Sequence, residues 1–104
     1  MRLTVFLKHD QTKNLAEIDE ILCRNEFWSH FPPEGVQVVA WNVMMGLGQV
    51  VILELSEDKL RALNLVLEQR AWGAFSTEIY ATYDFTAVVP KKLQQEKDYH
   101  ARAR

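Results

Sequence analysis

Eight residues could take part in the chemistry of a small-molecule site, although no fixed catalytic motif connects them. The candidates for moving a proton or polarising a carbonyl or hydroxyl group are His9, Asn42, Glu54, Tyr80 and Asp84. Histidine titrates near neutral pH, and a positioned carboxylate or phenol can act as a general acid or base. The candidates for the aromatic walls that enclose flat apolar ligands are Trp41, Trp72 and Tyr83. These residue types predict ligand binding and, in an enzyme, proton transfer.

Each candidate also has a purely structural interpretation. Glu54 ends an apolar stretch, VQVVAWNVMMGLGQVVILEL at residues 36–55, and a buried carboxylate is costly unless it is paired. One interpretation places Glu54 at a strand end in solvent and has Asn42 bond to backbone or to a partner chain, whereas the other places both in a pocket. His9 is either a locally bonded loop histidine or an acid–base group. Tryptophans often pack in ordinary cores, but Trp72 follows a helical stripe where a glycine loosens the chain.

Other site chemistries lack the sequence spacing that they require. The three histidines have no metal-ligand spacing and Cys23 has no cysteine near it, so no metal site is predicted. The stretch Gly46-Leu47-Gly48 lies in a hairpin with no helix start after it, which argues against a phosphate-binding loop. No serine has the context of a nucleophile elbow. We therefore expect a site without metal or cofactor.

Charge and composition limit the class of partner. The chain has 104 residues and a net charge of −2, which gives no general electrostatic reason to bind nucleic acid or an anionic membrane. Residues 91–104 carry five Lys or Arg against two acidic residues, which leaves −5 on residues 1–90. We expect this charged C-terminal tail to be a solvated end. The alternative is a nucleic-acid-binding arm, whose affinity would fall steeply with salt.

The sequence contains no recognisable targeting or membrane-spanning segment. No apolar stretch preceded by basic residues opens the chain, and polar residues interrupt the longest apolar run before it reaches about 18 residues. The one cysteine cannot form an internal disulfide. The expectation is a soluble cytoplasmic protein.

Alternating apolar residues predict four strands. The first runs from near the start of the chain to about residue 8 or 9. The central apolar run predicts a hairpin with strands near 36–45 and 49–55. The last strand is predicted from about Thr77 to Val89, where Pro90 stops it.

Helical spacing predicts two helices between these strands. One begins at Leu15, with Asn14 and Glu17 as a capping box, and the second follows Ser56 as its cap. The apolar stripe of the second helix is Leu60, Leu63, Leu67, Ala71 and Ala74. The resulting β-α-β-β-α-β order fits a ferredoxin-like α+β sandwich, with two helices on one face of a four-stranded antiparallel sheet, as a single domain over residues 1–90.

The hairpin is apolar on both faces, which two helices on one side cannot cover. Pairing Met45 with Gln49 would place Glu54 opposite Ala40 and leave about half a dozen apolar side chains on the second face. At about 25 cal/mol per Å², exposing them would forfeit several kcal/mol. We therefore expect a homodimer whose two sheets pack face to face.

At the level of architecture, the chain resembles the dimeric α+β barrel superfamily. The resemblance rests on its length, the β-α-β-β-α-β order, the apolar hairpin and the stretch LNLVLEQRAWGAFSTEIYAT. Over about residues 1–90 the layout is most similar to muconolactone-isomerase-like small proteins. The resemblance implies the ferredoxin-like fold and the homodimer. Members of the superfamily include cofactor-free quinol monooxygenases, haem-degrading enzymes, lactone isomerases and small-molecule binders, and no catalytic residues carry over.

Two functional hypotheses follow from these observations. In the first, the homodimer binds a small apolar or aromatic molecule, as a binding protein or as a cofactor-free isomerase or monooxygenase. In the second, it is a non-catalytic structural or regulatory dimer with a filled interface. A cavity that carries titratable groups would distinguish them.

Overall fold

The computed structural model describes residues 1–102 as a mixed α+β fold built on one four-stranded antiparallel sheet. The strands are β1 (Arg2–His9), β2 (Gln37–Met44), β3 (Gly48–Glu54) and β4 (Phe75–Ala81). The helices are α1 (Leu15–Arg24), α2 (Phe27–His30), α3 (Leu60–Val66) and α4 (Val89–Arg102). The shorter turns are 3₁₀ turns at Glu57–Lys59 and Thr86–Val88 and a π-helical turn at Leu67–Ala71. The predicted α+β class and the four-stranded antiparallel sheet are confirmed.

The sheet packs its core against one face only. Its strands lie in the order β2-β3-β1-β4, and each neighbouring pair is antiparallel. Leu3, Val5 and Leu7 are buried along β1, while the residues between them are half-exposed. Alternation of this kind is expected of an antiparallel sheet with one packed face. The face that carries Leu3, Val5 and Leu7 is the helix-covered face, and the other is called the open face below.

The core lies between the helix-covered face and the helices. Ile18 and Leu22 are the buried residues of α1, and Leu63 and Leu67 are buried in α3 and the π-helical turn. Each pair is four residues apart, so each helix presents one side to the sheet. The ring of Phe27 in α2 is fully buried, and its centroid lies 5.9 Å from that of Phe75.

The first helix starts as predicted and ends before Phe27. Asn14 and Glu17 form the predicted capping box, with each side chain accepting a hydrogen bond from the other residue's backbone N–H. The helix ends at Arg24 because Glu26, at φ 56°, adopts the left-handed conformation. Phe27 therefore belongs to a separate short helix.

The second predicted helix is divided. Ser56 is followed by the 3₁₀ turn, and its hydroxyl donates to the Asp58 carboxylate instead of capping a backbone N–H. The α-helix proper starts at Leu60, which is exposed, and continues into the π-helical turn. The later residues of the predicted stripe are buried: Leu63, Leu67, Ala71 and Ala74.

The predicted register of the hairpin is wrong. Gln49 pairs with Val43 instead of Met45, and Glu54 pairs with Gln37 instead of Ala40. Gly48 is a strand residue, at φ 152°, where an added Cβ would collide with the carbonyl oxygen of the adjacent β1 residue. The turn therefore contains residues 45–47 only.

An irregularity in β2 causes the rest of the register change. The pairing shifts between Val38 and Ala40, so that Val38 faces Leu53 and Ala40 faces Ile52. An extra residue in one strand reverses which face the following side chains occupy. Val38 therefore lies on the helix-covered face, whereas Ala40 lies on the open face.

The predicted last strand is too long at its C-terminal end. It runs from Phe75 to Ala81, and residues 86–88 form a turn that leads into α4. The Asp84 carboxylate accepts a hydrogen bond from the backbone N–H of Thr86 at 2.8 Å, which starts the turn. Pro90 is in the first turn of α4, where a missing N–H costs little, rather than at the end of a strand.

Most of the predicted tail is helical. Residues 91–102 belong to α4, in which no residue is buried, and residues 103–104 lie outside the described residues. Of the helices in residues 1–102, none is both long enough and apolar enough to cross a bilayer.

Candidate functional site

The structure offers two surfaces at which a partner or ligand could bind. The first is the open face of the sheet. Its centre is apolar and half-buried, and its members come from three neighbouring strands: Phe6, Ala40, Met44, Val50 and Ile52. The ring of Tyr80 extends this centre on β4, meeting Phe6 edge-on with centroids 6.0 Å apart.

Ion pairs flank the apolar centre at both ends of the strands. The Lys8 ammonium donates to Glu78 at 2.9 Å, and the Tyr80 hydroxyl donates to the same carboxylate at 3.2 Å. The bond from Lys8 lowers the pKa of Glu78 because it favours the charged form. At the other end, Arg2 donates to Glu54 at 3.1 Å. An apolar centre with a charged rim is the usual anatomy of a protein interface.

Three of the predicted catalytic residues share the open face but are spread across it. Asn42 is exposed on the edge strand β2, opposite Val50, while Tyr80 is on the other edge strand. Three interstrand spacings separate these edges, or about 14 Å. Glu54 is at the end of β3, held by Arg2. These residues therefore cannot all contact one small ligand within a single subunit.

Asp84 and Tyr83 follow β4 in the chain. The pKa of Asp84 is lowered mainly by hydrogen bonding from Thr86. The positive charge of the nearby Arg2 lowers it further. A carboxylate stabilised in this way stays ionised and is a poor proton donor at neutral pH. Tyr83 is 80% exposed.

His9 and Trp41 lie on the helix-covered face. The imidazole of His9 stacks on Phe75, with ring centroids 5.7 Å apart. Trp41 packs at the edge of the core, 6.1 Å from Trp28 between ring centroids, and its indole N–H donates to Gln49 at 2.7 Å. Trp41 therefore has a structural role within the subunit.

The second surface is a groove between the π-helical turn and the start of β4, called the Trp72 groove below. It has a volume of about 390 Å³, which lies within the usual range for ligand pockets. The residues that line it are Asp10, Leu67, Trp72, Gly73, Phe75, Ser76 and Thr77. Trp72 is 75% exposed and directly follows the π-helical turn, a feature that is frequent at functional sites.

Among the described residues that line this groove, Asp10 alone is charged. Its carboxylate accepts hydrogen bonds from the Thr12 backbone N–H at 2.9 Å and from Lys13 at 2.6 Å. Lys13 is the largest cause that holds the pKa of Asp10 well below its usual range. The Asp10 backbone N–H donates to the carbonyl oxygen of Ala74 at 3.0 Å, which fixes the Asp10 loop against the segment that leads into β4.

Two other depressions are the flanks of a single helix. They have volumes of about 540 and 580 Å³, and every residue that lines them belongs to α4. A site needs walls from more than one element to enclose a ligand, so we assign no function to them. Within residues 1–102, no three His, Cys, Asp or Glu side chains are grouped closely enough to hold a metal ion.

Sequence reasoning identified Trp72 but not the polar lining of its groove. Asp10 is not among the site residues that the sequence predicts, and Thr77 is predicted only as the start of the last strand. Their proximity depends on the pairing of Leu7 with Thr77 and of His9 with Phe75. One sequence signal for this proximity is the polar turn at residues 10–14, directly after β1. If β4 pairs with β1, this turn lies next to the segment that joins the second helix to β4.

Comparisons with models of protein families, with curated proteins and with solved structures found no match for this chain.

Proposed function

We propose that this chain forms a homodimer through the open faces of two sheets, and that the dimer binds a small apolar or aromatic molecule. The strand order β2-β3-β1-β4, with α1 and α3 on one face, supports a ferredoxin-like arrangement for each subunit. In such a subunit the open face is available for a partner.

The apolar centre of the open face carries the proposal. Phe6, Val50 and Ile52 lie side by side on β1 and β3, the two central strands. The helices cannot reach them, because these residues point away from the helix-covered face. Contiguous exposed apolar area of this kind marks interaction sites in soluble proteins. A second copy is a suitable partner because a twofold axis would place the same apolar centre of each subunit against that of the other.

The open face of the sheet is a small surface for a stable dimer. Four strands about 4.8 Å apart and seven residues of about 3.4 Å each give a projected area of roughly 450 Å². A stable interface buries about 800 Å² on each partner. A second element that adds to this area would therefore strengthen the dimer.

The helix α4 has the properties of that second element. None of its residues is buried, and Val89 and Leu93 on one side are 43% and 54% exposed. The radius of gyration is 18.6 Å, whereas a compact chain of this length would have about 13 Å. The segment 91–104 is basic and residues 1–90 carry −5, so α4 complements the body of a second copy electrostatically.

Two observations favour binding over catalysis. Asn42 and Tyr80 stand on opposite edges of the sheet, and the carboxylates of Glu78 and Asp84 have lowered pKa values. Neither carboxylate is poised to exchange a proton near neutral pH. A cofactor-free isomerase or monooxygenase would have to use another of the predicted groups, His9 or Glu54. The second candidate function is a non-catalytic structural or regulatory dimer.

Sedimentation velocity on three proteins tests the homodimer. Wild type should sediment as a dimer at tens of micromolar. Ile52→Lys places a charge in the apolar centre and should sediment as a folded monomer, as judged by circular dichroism. Leu15→Lys alters a residue of α1 that is 61% exposed, and it should remain dimeric. A monomeric wild type, or equal behaviour of the two variants, would contradict the proposed interface.

A further inference from the structure

We infer that the Trp72 groove is the ligand site of this protein and that it selects planar aromatic molecules bearing a cationic amine. The inference rests on the small-molecule binding in the proposed function and adds the place and the chemical class. It does not depend on the homodimer.

The walls of the groove suit a flat ring. The apolar lining of the groove consists of Trp72, which is 75% exposed, and of Phe75 and Leu67, which are almost entirely buried. Phe75 is itself held in place by stacking on His9 and by edge-on contact with Phe27. An aromatic ligand in the groove would therefore have the exposed ring of Trp72 and the packed ring of Phe75 available for offset or edge-on contacts.

The charge of the groove determines which aromatic molecule fits. Asp10 is ionised, and it is the one charged residue among those that line the groove. Lys13, its ion-pair partner, is not part of the lining. Asp10 Oδ1 accepts hydrogen bonds from the backbone N–H and the hydroxyl of Thr12, and Oδ2 accepts one from Lys13. Because a carboxylate has about four acceptor positions, Oδ2 retains one for a ligand N–H. A cationic amine is thereby favoured, and an anionic ligand is opposed.

The groove stays accessible in the proposed dimer. Phe75 and Thr77 pair with His9 and Leu7, which places them on the helix-covered face. The sheet therefore separates the main walls of the groove from the open face. The competing site is the open face of the sheet. Binding there would change the NMR signals of Asn42 and Tyr80, which lie on that face.

Three probes that share one ring test the charge selection. Tryptamine is cationic, indole is neutral and indole-3-acetate is anionic at neutral pH. Titrated into ¹⁵N-labelled full-length protein, tryptamine and indole should shift the Trp72 indole N–H and the Thr77 amide. Tryptamine should bind at least about fivefold more tightly than indole-3-acetate, a ratio that corresponds to one exposed charge pair.

Variants separate the ring contact from the charge contact. Trp72→Ala should weaken both tryptamine and indole, whereas Trp28→Ala, which alters another exposed tryptophan, should leave both unchanged. Asp10→Asn should equalise tryptamine and indole-3-acetate while leaving the affinity for indole unchanged. Spectra of the free variants establish that each is folded.

Three results would overturn the inference in distinguishable ways. Equal affinity of the wild type for tryptamine and indole-3-acetate would overturn the charge selection. Shifts concentrated at Asn42 and Tyr80 would overturn the groove as the site, while small-molecule binding by the protein would stand. Absence of shifts with every probe at millimolar concentration would overturn the groove as a site for aromatic amines. The binding function is decided separately by native mass spectrometry, and the homodimer by sedimentation.

Discussion

His9 and Phe75 face each other as the last and first residues of two paired strands, with their rings stacked at 5.7 Å and an interplanar angle of 16°. This contact joins the end of β1 to the start of β4 and supports one wall of the Trp72 groove. It gives His9 a structural role that its place in the sequence did not reveal.

Substitution at His9 tests that role. His9→Ala should lose the ring contact, which is worth about 0.5–1.5 kcal/mol for aromatic pairs. His9→Phe should retain it. Urea unfolding of both variants provides the measurement. If His9→Phe were as unstable as His9→Ala, the stacking contact would not be what His9 contributes.

The two glycines of the hairpin should differ in their tolerance of a side chain. Gly46, at φ 76°, has open space around an added Cβ, so Gly46→Ala should cost only the left-handed strain, about 1–2 kcal/mol. Gly48→Ala would collide with the Leu7 carbonyl oxygen in addition, so it must shift β3 from β1. We expect its loss of unfolding free energy to be clearly larger. Equal losses would mean that Gly48 is not packed against β1 as described.

The capping box at the start of α1 predicts a local stability effect. Asn14→Ala removes the acceptor for the Glu17 backbone N–H and should cost about 1 kcal/mol. Asn64→Ala is the matched control. The Asn64 side chain is exposed and donates a hydrogen bond to Glu68, four residues on. Its loss should change the free energy of unfolding by no more than about 0.5 kcal/mol. A control loss as large as that of Asn14→Ala would remove the evidence for capping.

The ion pair of Asp10 with Lys13 predicts a pH-dependent stability. The pKa of Asp10 is lower in the folded state than the value of about 3.9 expected when unfolded. The resulting stabilisation is fully present above that value and is lost as the pH falls towards the folded pKa. Asp10→Asn lacks it at every pH. The urea midpoints of wild type and variant should therefore differ at pH 7 and converge as the pH is lowered from about 5 to about 2.

Asp19→Asn serves as the control for this titration, since Asp19 is an exposed residue of α1. Its midpoint should follow that of the wild type across the same range. A gap between wild type and Asp10→Asn that stayed constant with pH would be inconsistent with ionisation of Asp10 as its source.

Disruption of α4 should affect association more than folding. Leu93→Glu changes a residue that is 54% exposed, so the free energy of unfolding of a subunit should change by no more than about 0.5 kcal/mol. The dimer dissociation constant should rise by at least about tenfold, which corresponds to about 1.4 kcal/mol. Gln95→Glu introduces the same charge about 160° around the helix from Leu93, and it should have a smaller effect. If both variants dimerise as the wild type does, α4 is not part of the interface.

The sequence predicted those elements whose signal is local. The alternation in β1 and the capping box of Asn14 and Glu17 depend on neighbouring residues, and both are present in the structure. The hairpin register was predicted wrongly because it depends on the contact of Gly48 with another strand. The last strand was predicted too long because the alternation of apolar and polar residues continues past Ala81, where β4 ends. The side chain of Asp84 starts a turn shortly after that point.

The candidate site was predictable only in part. Trp72 could be identified from its position beside Gly73, where a helix ends. Asp10 and Thr77 join it through strand pairing across the sheet, which no local pattern encodes. The spread of Asn42, Glu54 and Tyr80 over the open face likewise follows from the strand order and register.

Native mass spectrometry of freshly purified wild type, at low activation energy, tests the proposed function most directly. Each subunit has a mass of 12.1 kDa, so we expect a species of twice that mass that carries the additional mass of a bound small molecule. A dimer without added mass would favour the non-catalytic dimer with a filled interface. A monomer at tens of micromolar would contradict the homodimer and the role assigned to the open face of the sheet.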